Sequence, residues 1–282
     1  MMSRFLPADF DPSKGCIGLV AGKGRYPELL REAIITAGLR CVLIAFEGET
    51  ETAFIQQFPE ADRIVAKVGQ VGKTAKGLAS LGATHAIMAG QITPRRLFDG
   101  LHPDLTALQI LARLKERNAE TIFSAIGDEI EKRGVTMLDA RTFLDDHLAH
   151  AGLMTNGSKF GAAEQLDHGI HIAKEVARLD IGQGAVVSEG TVIAVEAFEG
   201  TDAMLRRAGE FGAKNVLFIK TVKPNQDYRY DVPVFGDKTL ESLRTAGIQH
   251  VALEAGHTLI LNKPAVLKAA QKAKIQVYGY TA

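Results

Sequence analysis

The stretch from Leu179 to Gly236 reads as three polar, glycine-punctuated runs, LDIGQGAVV, AVEAFEGTDAMLRRAG and KTVKPNQDYRYDVPVFG, set between apolar segments with the pattern of strands. They place Glu196, Glu199, Asp202, Lys220, Lys223, Gln226, Asp227, Arg229 and Asp231 at the ends of those segments, where a packed core gains nothing from charge. Carboxylates can carry Mg²⁺ or align a water, while lysine and arginine neutralise charge that develops on oxygen. On a loop stiffened by Pro224 and Pro233, this set fits a grip on phosphate and the chemistry of phosphoryl transfer. A surface ion-pair network would use the same residue types, but it seldom needs Gly and Pro at every boundary. Thr201 and Asp202 offer a hydroxyl, a carboxylate and N–H groups where a helix over 203–209 is expected to begin, and are equally good as plain helix caps.

The elements that would hold these residues alternate. In the first half, apolar runs at Cys16–Val20, Cys41–Phe46, Arg63–Val68 and His85–Met88 each end in glycine and polar residues, and helical spacing follows the first and third. This pattern predicts a parallel sheet with its ligand edge at the carboxyl ends of the strands. Gly22-Lys23-Gly24-Arg25 partly matches a dinucleotide-binding turn, with Pro27 where the third glycine would stand. Glu47 ends the second strand, where it could accept hydrogen bonds from ribose hydroxyls, and a plain tight turn beside a solvated acid is the alternative. Gly69 to Thr74 resembles the end of a triphosphate-binding loop, but its glycines stand too close together. It still sets Lys73 and backbone N–H groups at a helix start, which suits an anion or simply a capped helix. Gln91 to Leu101 combines Arg95 and Arg96 with Leu97, Phe98 and Leu101, as either an amphiphile contact or a loop into the helix 104–117.

In the second half a helix over 169–179 leads to strand-like runs at Ala185–Val187, Val192–Glu196 and Val216–Val222, the first two too close in sequence to require parallel pairing. The expected fold is α/β: a Rossmann-like parallel-sheet domain over 1–140 and a mixed α/β domain over 141–282 that carries most of the chemistry. Lys plus Arg equals Asp plus Glu at 33 each, Trp is absent, and no basic stretch is interleaved with stacking aromatics, which argues against nucleic acid as a partner. Cys16 and Cys41 fall in apolar runs and read as packing thiols. The pairs His147 with His150 and His168 with His171 have metal-ligand spacing on a helix, but a zinc site would need a third ligand, so a solvated face is favoured. With neither a signal-like leader nor an apolar run of bilayer length, a soluble cytoplasmic protein is expected.

The chain resembles the LpxI family of UDP-2,3-diacylglucosamine pyrophosphatases in GLVAGKGRYP, GQVGK, AGQIT, LDIGQ, VEAFEGTDAMLRRAG, KPNQDYRYDVPVFG and VALEAGHTLI, in order over nearly its whole length. The resemblance implies Mg²⁺-dependent hydrolysis of UDP-2,3-diacylglucosamine to 2,3-diacylglucosamine 1-phosphate (lipid X) and UMP in lipid A biosynthesis. It also implies a homodimer, and an enzyme of a membrane-derived lipid with no span of its own works in transient contact with the cytoplasmic face of the inner membrane or takes the lipid out. On this resemblance Asp227 is the essential carboxylate, binding Mg²⁺ or aligning water, and Lys223, Gln226 and Arg229 contact the pyrophosphate or hold Asp227. Thr201 and Asp202 bind phosphate or metal. Gly22, Lys23, Gly24, Arg25, Gly72, Lys73 and Gln91 lie around the substrate. The chain departs from the family pattern at Asn118-Ala119-Glu120, where paired Asp residues are common, and at Pro94-Arg95-Arg96. A non-catalytic UDP-sugar or lipid carrier is the alternative, and a nicotinamide oxidoreductase, resting on the Gly22 turn alone, is a distant third.

Overall fold

The computed structural model describes residues 2–92, 103–115 and 119–282, which separate into two compact units. Unit 1 is Met1–Asp145 with Asp227–Asp231, and unit 2 is Asp146–Gln226 with Val232–Ala282.

Unit 1 is built on β1 (Cys16–Ala21), β2 (Arg40–Phe46), β3 (Arg63–Ala66), β4 (His85–Ala89) and β5 (Thr136–Met137), all paired in parallel in the order β3-β2-β1-β4-β5. Its helices are α1 (Arg25–Thr36), α2 (Thr52–Ile55), α3 (Val71–Ser80), α4 (Leu105–Arg113) and α5 (Ala119–Glu131). β1 is buried along its whole length, as the central strand of a sheet covered on both faces must be. The order reverses between β1 and β4, the place where a crevice opens beyond the strand ends in doubly wound sheets. Cys16 and Cys41 are free thiols in β1 and β2, and burial pushes the Cys41 thiol up to about 12. Arg95, Arg96, Leu97, Phe98 and Leu101 lie outside the described residues, as does Asn118.

Unit 2 contains β6 (Gly152–Leu153), α6 (Leu166–Arg178), β7 (Gly184–Ser188), β8 (Thr191–Val195), α7 (Thr201–Glu210), β9 (Leu217–Lys220), β10 (Val234–Phe235), α8 (Asp237–Thr245), β11 (His250–Glu254), β12 (Leu259–Ile260), α9 (Lys263–Lys272) and β13 (Gln276–Tyr280). Its main sheet runs β6-β13-β11-β9-β7-β8, with β13, β11 and β9 parallel and β7 antiparallel to both β9 and β8. The sheet is therefore mixed, and the short β7–β8 loop is the turn of an antiparallel hairpin. Phe218 packs into the core on one face of β9 while Leu217 and Ile219 pack on the other, the two-residue period of a strand buried on both sides. Since β8, β9 and β11 run the same way, their carboxyl ends meet at one sheet edge beside the start of β7.

α7 begins at Thr201, two residues before the expected start. Gly200, at φ 78°, is the N-cap and supplies the left-handed turn that a side chain would strain, so neither Thr201 nor Asp202 caps the helix. No helix among the described residues is long and apolar enough to cross a membrane.

Candidate functional site

At the carboxyl end of β1 in unit 1, the chain turns through Gly22 and meets the end of β4. Gly22 N donates to Ala89 O at 2.8 Å, while Lys23 and Gln91 exchange two backbone hydrogen bonds of 2.9 and 3.0 Å. A side-chain carbon on Gly22 would lie 2.4 Å from Gln91 O, so this glycine serves an approach of backbone to backbone. Gly24 has φ 98° and leads into α1. Lys23 Nζ lies 3.9 Å from Glu49 Oε2, and the Arg25 guanidinium is drawn along its own helix to Glu28 and Glu32. The start of α3 holds an anion supplied by the protein: Asp104 Oδ2 accepts from Lys73 N at 3.2 Å, and its Oδ1 accepts from Ala107 N at 3.0 Å. Gly72 packs where a side chain would meet Thr106, and Lys73 Nζ donates to Val65 O at 2.9 Å.

Asp227 and Arg229 belong to the same unit. Asp227 Oδ1 accepts from Arg229 N at 3.1 Å and Nε at 3.0 Å, and Oδ2 accepts from Nη2 at 2.8 Å. This fork holds the Asp227 carboxyl below its ordinary range and pushes the guanidinium up. The segment is fixed by its aromatics. Tyr228 lies under the Arg141 guanidinium, 3.4 Å from ring centroid to carbon, and its carbonyl accepts from Ala140 N at 2.8 Å. Tyr230 packs on the unit's core, and burial raises its hydroxyl to about 12.

Unit 2 gathers the first two polar runs and the KPNQ part of the third at one sheet edge. Gln226 Oε1 accepts from Lys223 N at 3.0 Å and from Gln183 Nε2 at 3.3 Å, and Lys223 Nζ pairs with Asp180. The LDIGQ and KPNQ runs are thereby bound to each other. Glu196 follows β8 and leans over Gly182 and Gly184, where a side-chain carbon would lie 2.2 Å from Glu196 O and 2.7 Å from its Oε2 respectively. Its Oε1 accepts from Thr201 Oγ1 at 2.7 Å, and Thr201 Oγ1 accepts from Lys220 Nζ at 3.1 Å. Asp202 turns toward α8, accepting from Ser242 Oγ at 3.3 Å with Lys238 Nζ 3.9 Å away. Beneath the edge, Glu254 is 4% exposed and accepts from Thr221 Oγ1 at 2.7 Å, from Val222 N at 3.0 Å, and from Lys174 Nζ at 2.8 Å on each oxygen.

The family models match across this arrangement: LpxI N-terminal domain over residues 16–147 and LpxI C-terminal domain over 150–278. The chain belongs to the LpxI family. A relative in Caulobacter vibrioides, named UDP-2,3-diacylglucosamine pyrophosphatase LpxI, is 32% identical over 277 residues, covering 93% of this chain and 96% of that protein.

In this LpxI-family chain the structure joins Lys223 with Gln226, Asp227 with Arg229, and Gly22 and Lys23 with Gln91, and it sets Gly72 and Lys73 against Thr106 and Asp104. Thr201 and Asp202 share a helix start but face different partners. Sequence reasoning assigned no role to Glu254, Lys174, Tyr228 or Tyr230. An acid closing the apolar run HVALE and the alternation of aromatic with charged residues in DYRYD were the available signals. Among the described residues no group of three or more His, Cys, Asp or Glu side chains could hold a metal ion. Because the atoms crowding Gly22 are backbone and cannot swing aside, Gly22→Ala is expected to destabilise the protein by about 1–3 kcal/mol in urea unfolding. An unchanged midpoint would contradict that close approach.

Proposed function

We propose that this chain hydrolyses the pyrophosphate bond of UDP-2,3-diacylglucosamine, giving 2,3-diacylglucosamine 1-phosphate and UMP, as a step of lipid A biosynthesis. The observation that carries the reading is the meeting of LDIGQ, VEAFEGTD and KPNQ at one edge of the unit 2 sheet, in a chain similar to a relative bearing that name. In the reaction a water oxygen bonds to one phosphorus, the bridging P–O bond breaks, and attack at either phosphorus yields the same two products. Lys223 and Arg229 neutralise phosphate charge, Asp227 aligns the water, and Gln226 holds the loop. Thr201 and the Gly22–Arg25 turn with Gln91 contact the remaining substrate.

Mg²⁺ belongs to this reading. It keeps several waters and is commonly bound by one or two carboxylates plus substrate phosphates, so the want of a multi-carboxylate cluster among the described residues is compatible with it. The oxygen donors of Asp227 or Asp202 fit that mode, Asp227 only once Arg229 gives way. When bound, Mg²⁺ supplies Lewis-acid polarisation of the phosphoryl oxygens. Transient contact with the inner membrane's cytoplasmic face accompanies the reading, since the substrate is a lipid, and homodimerisation accompanies it on the family resemblance.

The test incubates purified protein with UDP-2,3-diacylglucosamine, with Mg²⁺ and with chelator, following UMP and the lipid monophosphate. Metal-dependent release of both is expected. Tight lipid binding without release would replace the enzyme by a carrier, and release undiminished by chelator would remove Mg²⁺.

A further inference from the structure

The Lys220 side chain is poorly satisfied where it stands. The residue ends β9 at 7% exposure, and among the described residues its ammonium makes one hydrogen bond, to the neutral Thr201 hydroxyl at 3.1 Å, and no ion pair. An ammonium carries three donors and is costly to bury without an anion. The hydroxyl has a single proton, which it gives to Glu196 Oε1 at 2.7 Å, so toward Lys220 it can only accept. Glu196 thus fixes the sense of a relay, Lys220 to Thr201 to Glu196. The carboxylate stays one hydroxyl removed from the ammonium, and its buried Oε2 has no hydrogen-bond partner among the described residues.

The same place is the open end of a helix. Thr201 is the first residue of the ten-residue α7, and the N-cap Gly200 offers no side-chain acceptor to the first-turn N–H groups. Unlike the start of α3, where Asp104 fills that position, α7 has no capping side-chain acceptor among the described residues. A buried lysine whose ammonium makes a single hydrogen bond, beside N–H groups with no side-chain cap among the described residues, suits an anion such as a phosphate. We propose that Lys220, with the first turn of α7, binds a phosphate of the substrate's diphosphate, and that Thr201 and Glu196 position it. This assignment rests on the hydrolytic reading above and adds a phosphate-contacting residue to it.

The test compares full-length wild type with Lys220→Met, Lys220→Arg and Thr201→Val. It reads kcat and KM for UDP-2,3-diacylglucosamine, calorimetric affinity for free UDP, and the urea midpoint. Lys220→Met is expected to lose on the order of 100-fold in kcat/KM and to weaken UDP, with a midpoint no lower than wild type because a poorly paired buried charge is gone. Lys220→Arg should recover part of the loss, and Thr201→Val should lose about tenfold with the charge retained. Wild-type kcat/KM and UDP affinity in Lys220→Met would overturn the assignment while leaving the hydrolytic reading intact. If Lys220→Met fails to fold, wild-type values in both Lys220→Arg and Thr201→Val overturn it instead. If the wild type binds UDP without hydrolysing the lipid, the hydrolytic reading falls and the UDP affinities alone decide the assignment. A wild type that does neither overturns both.

Discussion

Asp227→Asn is expected to lower the turnover of UDP-2,3-diacylglucosamine by about 10²-fold or more while leaving substrate affinity within a few-fold of wild type. The substitution keeps the size of the side chain and removes its charge. The carboxylate now takes three hydrogen bonds from Arg229, two from the guanidinium and one from the backbone. An amide could accept through one oxygen only, so the fork would open even as the volume is kept. A group that aligns water loses its effect on the reaction when the charge goes, whereas a group that only ties down a loop would change stability and leave turnover alone. Single-turnover kinetics with equilibrium binding separates the two, and a fully active Asp227→Asn would sink the assignment. Asp227 is partly exposed, so solvent screens the pair and its stabilising effect is small. The sign is fixed: with a folded pKa below the ordinary 3.8, that contribution is present above the unfolded value and lost as pH falls through the folded one.

Glu254→Ala is expected to destabilise the protein by about 3 kcal/mol. Removing this carboxylate leaves the Thr221 hydroxyl and the Val222 N–H buried without their acceptor, and Lys174 without its anion. Lys174 is 30% exposed and can partly regain water, which places the effect at the low end for a broken buried pair. Hydrogen exchange offers the sharpest measurement: the Val222 amide should lose protection, and the urea midpoint should fall with it. Because Val222 directly precedes Lys223, a raised KM should accompany the loss. Retained protection at Val222 would show that the carboxylate does not hold this segment. The double variant Lys174→Met with Glu254→Leu is expected to be more stable than Glu254→Ala, since replacing both partners leaves no uncompensated charge.

Much of the architecture was legible because its signals are local. An apolar run of strand length, the glycine that ends it and the helical spacing that follows all lie within some twenty residues, so β1 with α1 and β3 with α3 could be read in order. The mixed sheet was legible for a similar reason, since the few residues between β7 and β8 are too short for a parallel crossover. The motifs that identify the LpxI family are likewise contiguous, and they were sufficient for the family without any coordinates.

The chain by itself determined which residues were available for chemistry, at which strand ends they stand, and which family they belong to. Partnership was decided only in three dimensions. That Asp104 fills the start of α3, that Gln183 meets Gln226, and that Asp227–Asp231 packs with unit 1 are contacts between segments distant in sequence. The physical reason is that a glycine, a charge or a hydroxyl has the same local signature whether it faces a ligand or another part of the chain. Gly22 makes the point, because its missing side chain leaves room for the backbone of Gln91, and nothing within the GKGR turn distinguishes that from room for a phosphate.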